Sequence, residues 1–226
     1  MSDTDSFIDE VSEEVRRDQL YGVFRKYGWI AVSAVVLIVG GASFNEYRKA
    51  QTTAAAEATG DALLAALDEN ESSNRVVALG AATLEAPEAE VVRQFLLSAE
   101  QVNAGETAAA AASLETFLNS APETSQIYKD IAELKALVLA GDTISVDDRR
   151  ARLEMLANPG TPLALIASEQ IALLDIETGN KDAAIERLQG LIVDAEASAG
   201  LRQRASQLIV ALGGEPETLP SLATDQ

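Results

Sequence analysis

The chain has 226 residues, enough for one or two domains, and its 17 Lys and Arg against 36 Asp and Glu leave a formal net charge of −19. This charge argues against a nucleic-acid binder, because phosphate recognition needs clustered Lys and Arg. The absence of cysteine and histidine excludes disulfides, thiolate or imidazole zinc sites, and Cys or Ser-His-Asp catalysis. Few aromatic residues (4%) beside abundant Ala and Leu predict an all-α fold.

Residues 1–26 predict a short amphipathic helix. Ser6 can cap it, with Asp9 three residues further on, and Phe7, Val11 and Val15 follow at helical spacing. One interpretation is a docking helix for a cytoplasmic partner. The interpretation that we favour is a juxtamembrane helix lying along the lipid headgroups.

Residues 27–45 are long and apolar enough to cross a bilayer. These 19 residues carry no charge, and as a helix they would span about 28 Å of the roughly 30 Å hydrocarbon core. Tyr27 and Trp29 lie at one end of the run, and Phe44 and Tyr47 lie at the other, as in an interfacial aromatic belt. The run predicts a single transmembrane helix.

Two alternatives compete with a permanent anchor. A signal peptide would be cleaved near Ala42, but the long acidic segment before the apolar run is unlike a short basic leader. A buried core helix would need a hydrophobic surround that the acidic remainder of the chain does not offer. We therefore favour an uncleaved anchor.

Basic residues near the span predict its orientation. The positive-inside rule counts Lys and Arg on each side and largely ignores acids. Four basic residues precede the span and two follow it closely: Arg16, Arg17, Arg25 and Lys26, then Arg48 and Lys49. The rule predicts a cytoplasmic N-terminus and a C-terminal domain across the membrane, which is the periplasm in a bacterium.

Recurrent glycines divide the remainder of the chain. Residues 46–56 predict a helical linker, and Gly105, Gly141, Gly179 and Gly213 then follow at intervals of 36, 38 and 34 residues. Each lies where a helix C-terminus needs a residue with left-handed backbone, and a polar residue after it can begin the next helix.

A period near 34 residues with two helices around a turn is that of tetratricopeptide repeats. The residues that resemble the repeat positions are Leu97, Ser98, Gly105, Ala110, Leu114, Phe117 and Pro122 in a first unit, Leu134, Gly141, Val146 and Leu153 in a second, and Ile171, Ala172, Gly179, Ala184, Leu188 and Leu191 in a third. Arg150 occupies an expected apolar place. We expect a degenerate tetratricopeptide-like α-solenoid of helical hairpins over residues 57–213; an ordinary helical bundle is the alternative.

The end of the chain predicts a capping helix and a tail. In "SAGLRQRASQLIVALGG" the apolar residues would face the array: Leu201, Ala205, Leu208, Ile209 and Leu212. The polar residues Arg202, Arg204 and Gln207 would face water. Residues 214–226 are rich in Pro and acids and predict a disordered tail.

The resemblance to tetratricopeptide repeats implies a concave partner-binding groove. Aligned on the turn glycines, the family's groove positions are Val92, Phe95, Ala99, Val102, Tyr128, Ile131, Lys135, Val138, Ile166, Glu169, Leu173 and Ile176. This largely apolar set suits an amphipathic or unfolded segment. Alternatively, some of these residues are core between repeats, because a register error of one residue would exchange the faces.

The whole layout resembles the tetratricopeptide repeat-like family related to the ancillary subunit of the bacterial Sec translocon. "FIDEVSEEVRRDQL" followed by "KYGWIAV" is similar to the opening of its alphaproteobacterial members. Membership would imply a single-pass inner-membrane protein beside the Sec channel. It would work with a membrane-anchored periplasmic chaperone or prolyl isomerase to receive secreted polypeptides.

Two non-enzymatic functions remain open on the sequence. The first is an adaptor at the translocon, whose tether raises its effective concentration near clients. The second is a scaffold for another cell-envelope assembly complex. An enzyme is the third class, but Asp147 and Asp148 in "DTISVDDRR" are more typical of a helix start, and no cofactor or metal motif is present. We expect no catalytic activity and no cofactor.

Overall fold

The computed structural model describes residues 3–84, 89–120 and 124–217, and within these ranges the chain forms helices and turns but no β-strand. An all-α fold is therefore confirmed for this part of the chain. The helices are α1 (Asp3–Leu67), α2 (Ser72–Ala81), α3 (Glu90–Asn103), α4 (Thr107–Ser120), α5 (Gln126–Ala140), α6 (Val146–Leu156), α7 (Ala164–Glu177), α8 (Lys181–Val193) and α9 (Ala199–Ala211).

Helix α1 is continuous through the apolar run and the predicted linker. It begins upstream of Ser6, so the predicted cap at Ser6 does not start it, and it passes through Gly60 without a break. By contacts the chain divides into two compact units, Met1–Ala58 and Thr59–Gln226. We call the described part of the second unit, residues 59–84, 89–120 and 124–217, the helical domain.

Among the described residues, one helical stretch is long and apolar enough to cross a membrane. It begins at Arg25, and its most apolar window has a mean hydropathy of 1.8 with none of the window buried. Trp29, Leu37 and Ile38 are 68%, 76% and 71% exposed. By length and composition this stretch meets the requirement for a single span.

In the helical domain each helix from α2 onward packs mainly against its neighbours along the chain. The core is a series of four clusters, which lie around Leu79, Leu114, Leu137 and Leu188. All four side chains are at most 2% exposed. Burial of a leucine side chain contributes about 1.5–3 kcal/mol, so these clusters are the main attraction between successive helices.

A glycine with positive φ follows the end of a helix at all four predicted positions, and three of them share one turn type. Gly105, Gly179 and Gly213 have φ of 79°, 78° and 77°, and each ends its helix in a Schellman arrangement. At the first, the Gly105 N–H donates to the Val102 carbonyl at 2.9 Å and the Glu106 N–H donates to the Gln101 carbonyl at 2.8 Å.

Gly141 behaves differently, because it has φ 50° and ψ −128° and opens a short 3₁₀ turn, Gly141–Thr143. Helix α6 follows at Val146. Its cap is Ser145, whose Oγ accepts from the Asp148 N–H at 3.1 Å and donates to the Asp148 carboxylate at 2.6 Å. The expectation that this acidic stretch begins a helix is confirmed.

Helix α6 has few buried residues, and its arginines link it to neighbouring helices. Arg152 donates to Glu133 of α5 at 2.5 and 2.8 Å and to Glu115 of α4 at 2.6 Å. The hydrogen bond to Glu133 is the main cause that raises the pKa of Arg152 above its ordinary value. Arg150, at a position expected to be apolar, donates to the buried Asp175 of α7 at 2.6 Å.

The capping helix α9 buries Leu201, Ala205 and Ile209, as predicted. Arg204 is exposed, as predicted, and it also donates to both carboxylate oxygens of Glu169 at 2.7 and 2.8 Å. Arg202 likewise donates to main-chain carbonyls, including that of Asp194 at 2.7 Å. Helical periodicity could not show either contact, because both join different elements.

The start of the predicted tail is hydrogen-bonded to α8. Gln189 donates its amide to the Glu215 carbonyl at 2.7 Å and accepts from the Glu217 N–H at 2.9 Å. The remainder of the tail, and Pro122 at the predicted end of the first unit, lie outside the described residues.

Candidate functional site

An apolar groove of about 440 Å³ runs along three helices of the helical domain. Helices α3, α5 and α7 each contribute at least two side chains to its lining. The lining residues are Ala99, Val102, Asn103, Leu134, Lys135, Val138, Leu139, Ile166 and Gln170.

Helical spacing explains why these residues share one surface. Side chains three and four positions apart lie on the same face of a helix. Ala99, Val102 and Asn103 have this relation on α3, and Ile166 and Gln170 have it on α7. The groove therefore exists because three helices turn corresponding faces toward the same space.

Aliphatic side chains that remain in water dominate the lining. Val138 is 52% exposed, Ile166 is 43% exposed and Val102 is 38% exposed, whereas Leu137 and Ala167, next to the first two in the chain, are at most 2% exposed. A ligand that covered them would gain about 25 cal/mol for each Å² of apolar surface removed from water. The volume lies within the usual range of about 300–1,000 Å³ for ligand sites.

Lys135 is the charged side chain of the lining, and it is half-buried. It forms no ion pair or hydrogen bond with another residue in the described ranges. Asn103 donates its amide to Glu100 at 3.4 Å. The groove therefore presents aliphatic surface with one available ammonium group.

Five of the twelve predicted groove residues line this groove: Ala99, Val102, Lys135, Val138 and Ile166. A sixth, Leu173, lines a smaller adjoining depression of about 160 Å³ that shares Val138 and Gln170 with the groove. The structure thus brings together predicted residues from all three units.

The other six predicted residues lie elsewhere. Val92 and Tyr128 are exposed outside the groove. Ile131 and Ile176 are half-buried outside the lining, and Phe95 packs against the core around Leu114. Glu169 is only 5% exposed and is bound by Arg204. For Phe95 and Glu169 the alternative interpretation, core between helices, describes their positions.

Sequence reasoning missed four residues of the lining. Asn103 and Gln170 follow Ala99 and Ile166 by four positions, so helical spacing could have indicated them. Leu134 was named only as a repeat position of the second unit, and Leu139 carried no distinguishing signal, because an aliphatic residue on an amphipathic helix suits either a core or a groove.

The described residues include no group of three or more Asp or Glu side chains placed to hold a metal ion. No protein-family model, curated protein or solved structure matches the chain.

Proposed function

We propose that this protein is a membrane-anchored adaptor whose groove binds apolar segments of other polypeptides. The observation that carries the proposal is the exposed aliphatic lining shared by α3, α5 and α7. An exposed apolar concavity on a protein with a net charge of −19 is typical of an interaction site. Its shape suits a peptide laid across three helices.

The apolar stretch that begins at Arg25 supports the membrane component of the proposal. A span there would hold the helical domain at a membrane surface, and tethering raises the effective concentration of weakly bound partners. The bias of basic residues supports a cytoplasmic N-terminus and a periplasmic helical domain. In this arrangement the groove would meet polypeptides that emerge from the inner membrane.

The recurrent glycine turns support a tetratricopeptide-like solenoid as the architecture of residues 57–213. Under this proposal the partners are those that the resemblance implies: the Sec translocon, a membrane-anchored periplasmic chaperone or prolyl isomerase, and secreted polypeptides. The protein would be a chaperone-like accessory factor of protein translocation, without enzymatic activity of its own.

Site-specific photocrosslinking in living cells tests the proposal. A photoreactive amino acid at Val138 probes the groove, and the same amino acid at Val193, which is 52% exposed on α8 outside the groove, is the matched control. We expect adducts with translocon subunits, periplasmic chaperones or secreted polypeptides from position 138 and not from position 193.

The crosslinked partners also distinguish the two functions. Equal adducts from both positions, or none from position 138, would contradict a binding groove. Adducts from position 138 that contain only cell-wall synthesis or outer-membrane assembly proteins would favour the scaffold function over the translocon adaptor.

A further inference from the structure

The charges beside the groove follow a regular arrangement. Each groove helix carries a glutamate next to a lining residue: Glu100 beside Ala99, Glu133 beside Leu134, and Glu169 beside Gln170. All three carboxylates are bound by arginines from other helices. Glu100 accepts from Arg75 at 2.7 Å, Glu133 accepts from Arg152 at 2.5 Å, and Glu169 accepts from Arg204 at 2.7 Å.

These ion pairs hold three acids that adjoin lining residues in sequence, while Lys135 stays unpaired among the described residues. The chain has a net charge of −19, and the three arginines named above each bind a glutamate. No carboxylate of the described residues binds Lys135 in the same way. Lys135 is therefore a charged group in the groove lining without a countercharge among the described residues. At physiological ionic strength screening acts over about 8 Å, so the nearby ammonium outweighs distant carboxylates for a bound ligand.

The surroundings of Lys135 define which anion would fit. Leu134, Val138 and Leu139 flank it on α5, and Val102 and Ile166 line the groove from the neighbouring helices. A small free anion would leave this aliphatic surface in water. A purely apolar segment would cover the ammonium group and remove it from water without a partner, which is unfavourable.

Resting on the proposed function, we infer that the groove selects peptide segments in which a side-chain carboxylate lies between aliphatic residues. The carboxylate pairs with Lys135, and the flanking side chains cover Val102, Val138 and Ile166. A lysine at the same ligand position would meet like charge and is disfavoured. The ligand's acidic residue thus provides specificity, and the aliphatic residues provide most of the affinity.

Binding of matched synthetic peptides to the full chain in phosphatidylcholine nanodiscs tests this inference. The peptides carry acetylated and amidated ends and alternate leucine and alanine around one central residue, which is glutamate, glutamine or lysine. Isothermal titration calorimetry avoids a charged dye, and empty nanodiscs correct for binding to lipid. We expect the glutamate peptide to bind about fivefold more tightly than the glutamine peptide, as for a partly exposed ion pair.

Variants assign the preference to one side chain. Lys135→Gln should abolish the difference between the glutamate and glutamine peptides, and Lys135→Glu should shift preference to the lysine peptide. Lys181→Gln changes the net charge equally but lies on α8 outside the groove lining, so it should leave the preference unchanged. The unfolding temperature of each variant, measured on the same samples, separates loss of binding from loss of folding.

The outcomes separate the inference from the proposed function. If all three peptides bind the unaltered protein equally and Lys135→Gln has no effect, the groove binds apolar segments without the inferred selection. If no peptide binds above the empty-nanodisc level, the proposed groove function itself is contradicted. A preference that Lys181→Gln removes as fully as Lys135→Gln would mean that overall charge, and not the groove, sets the selectivity.

Discussion

Removal of Arg152 should measurably loosen α6 from the helices before it. Its guanidinium donates to Glu133 at 2.5 and 2.8 Å and to Glu115 at 2.6 Å, and the three side chains are only 26%, 20% and 31% exposed. Arg152→Met keeps much of the packing of the side chain but leaves two neighbouring carboxylates without their cation. Hydrogen bonds to charged groups contribute roughly 1.5–3 kcal/mol, and partial exposure reduces this contribution.

We expect Arg152→Met to lower the free energy of unfolding by about 2 kcal/mol. For a domain of this size that corresponds to a fall in unfolding temperature of about 4–8 °C. Far-ultraviolet circular dichroism of the full chain in detergent would follow the helical domain. The matched control is Lys181→Met, which removes an exposed cation with no ion pair among the described residues.

A double-mutant cycle with Glu133→Gln isolates the interaction itself. If the ion pairs stabilise the contact between α6 and the helices before it, Glu133→Gln should lower the free energy of unfolding less in the Arg152→Met variant than in the unaltered protein. We expect a difference of at least about 1 kcal/mol. Higher salt should shrink the effect of Arg152→Met but not erase it, because the pairs are partly buried. Additive effects, or a loss no larger than that of Lys181→Met, would refute the reasoning.

Two further predictions use the same unfolding measurement. Gly179→Ala should destabilise by about 1–2 kcal/mol, because φ of 78° is unfavourable for a residue with a Cβ. Gly80→Ala, in the last turn of α2 with open space around the added methyl, should instead stabilise by at most about 0.5–1 kcal/mol; equal signs would contradict the turn assignment. Burial alone would raise the pKa of Glu90, but hydrogen bonds from Arg93 and Gln94 outweigh it and lower the pKa below its ordinary value of 4.5. The ionised Glu90 carboxylate therefore stabilises the folded protein above that ordinary pKa, and this stabilisation is lost as pH falls through the pKa of Glu90 in the folded protein. Glu90→Gln should destabilise at neutral pH and become indistinguishable from the unaltered protein in acid, whereas a loss that grows in acid would contradict this sign.

The helix ends were the features most open to prediction from sequence. A left-handed residue is almost always glycine, so Gly105, Gly179 and Gly213 identified their turns without any knowledge of packing. At Gly141 the chain instead opens a 3₁₀ turn, in which the Thr143 hydroxyl donates to the Ala140 carbonyl at 2.6 Å. Local chemistry thus predicted where helices end better than how each turn is built.

The groove was only partly predictable, because helical periodicity shows which residues share a face but not what covers that face. Ala99 and Phe95 are four residues apart on α3, yet the first lines the groove and the second packs on the core. Glu169 was predicted to line the groove, but its carboxylate is bound by Arg204, which lies 35 residues later in the chain. Contacts of that separation depend on how three helices stack, which the spacing of residues on one helix does not determine.

We propose that the apolar stretch of α1 stays embedded in a membrane and tethers the helical domain there. Alkaline carbonate extraction of membranes, followed by intact mass measurement, tests it most directly. We predict that the chain stays in the membrane pellet with its N-terminal segment still attached. Release of the intact chain into the supernatant, or a mature N-terminus near Ser43, would contradict the claim.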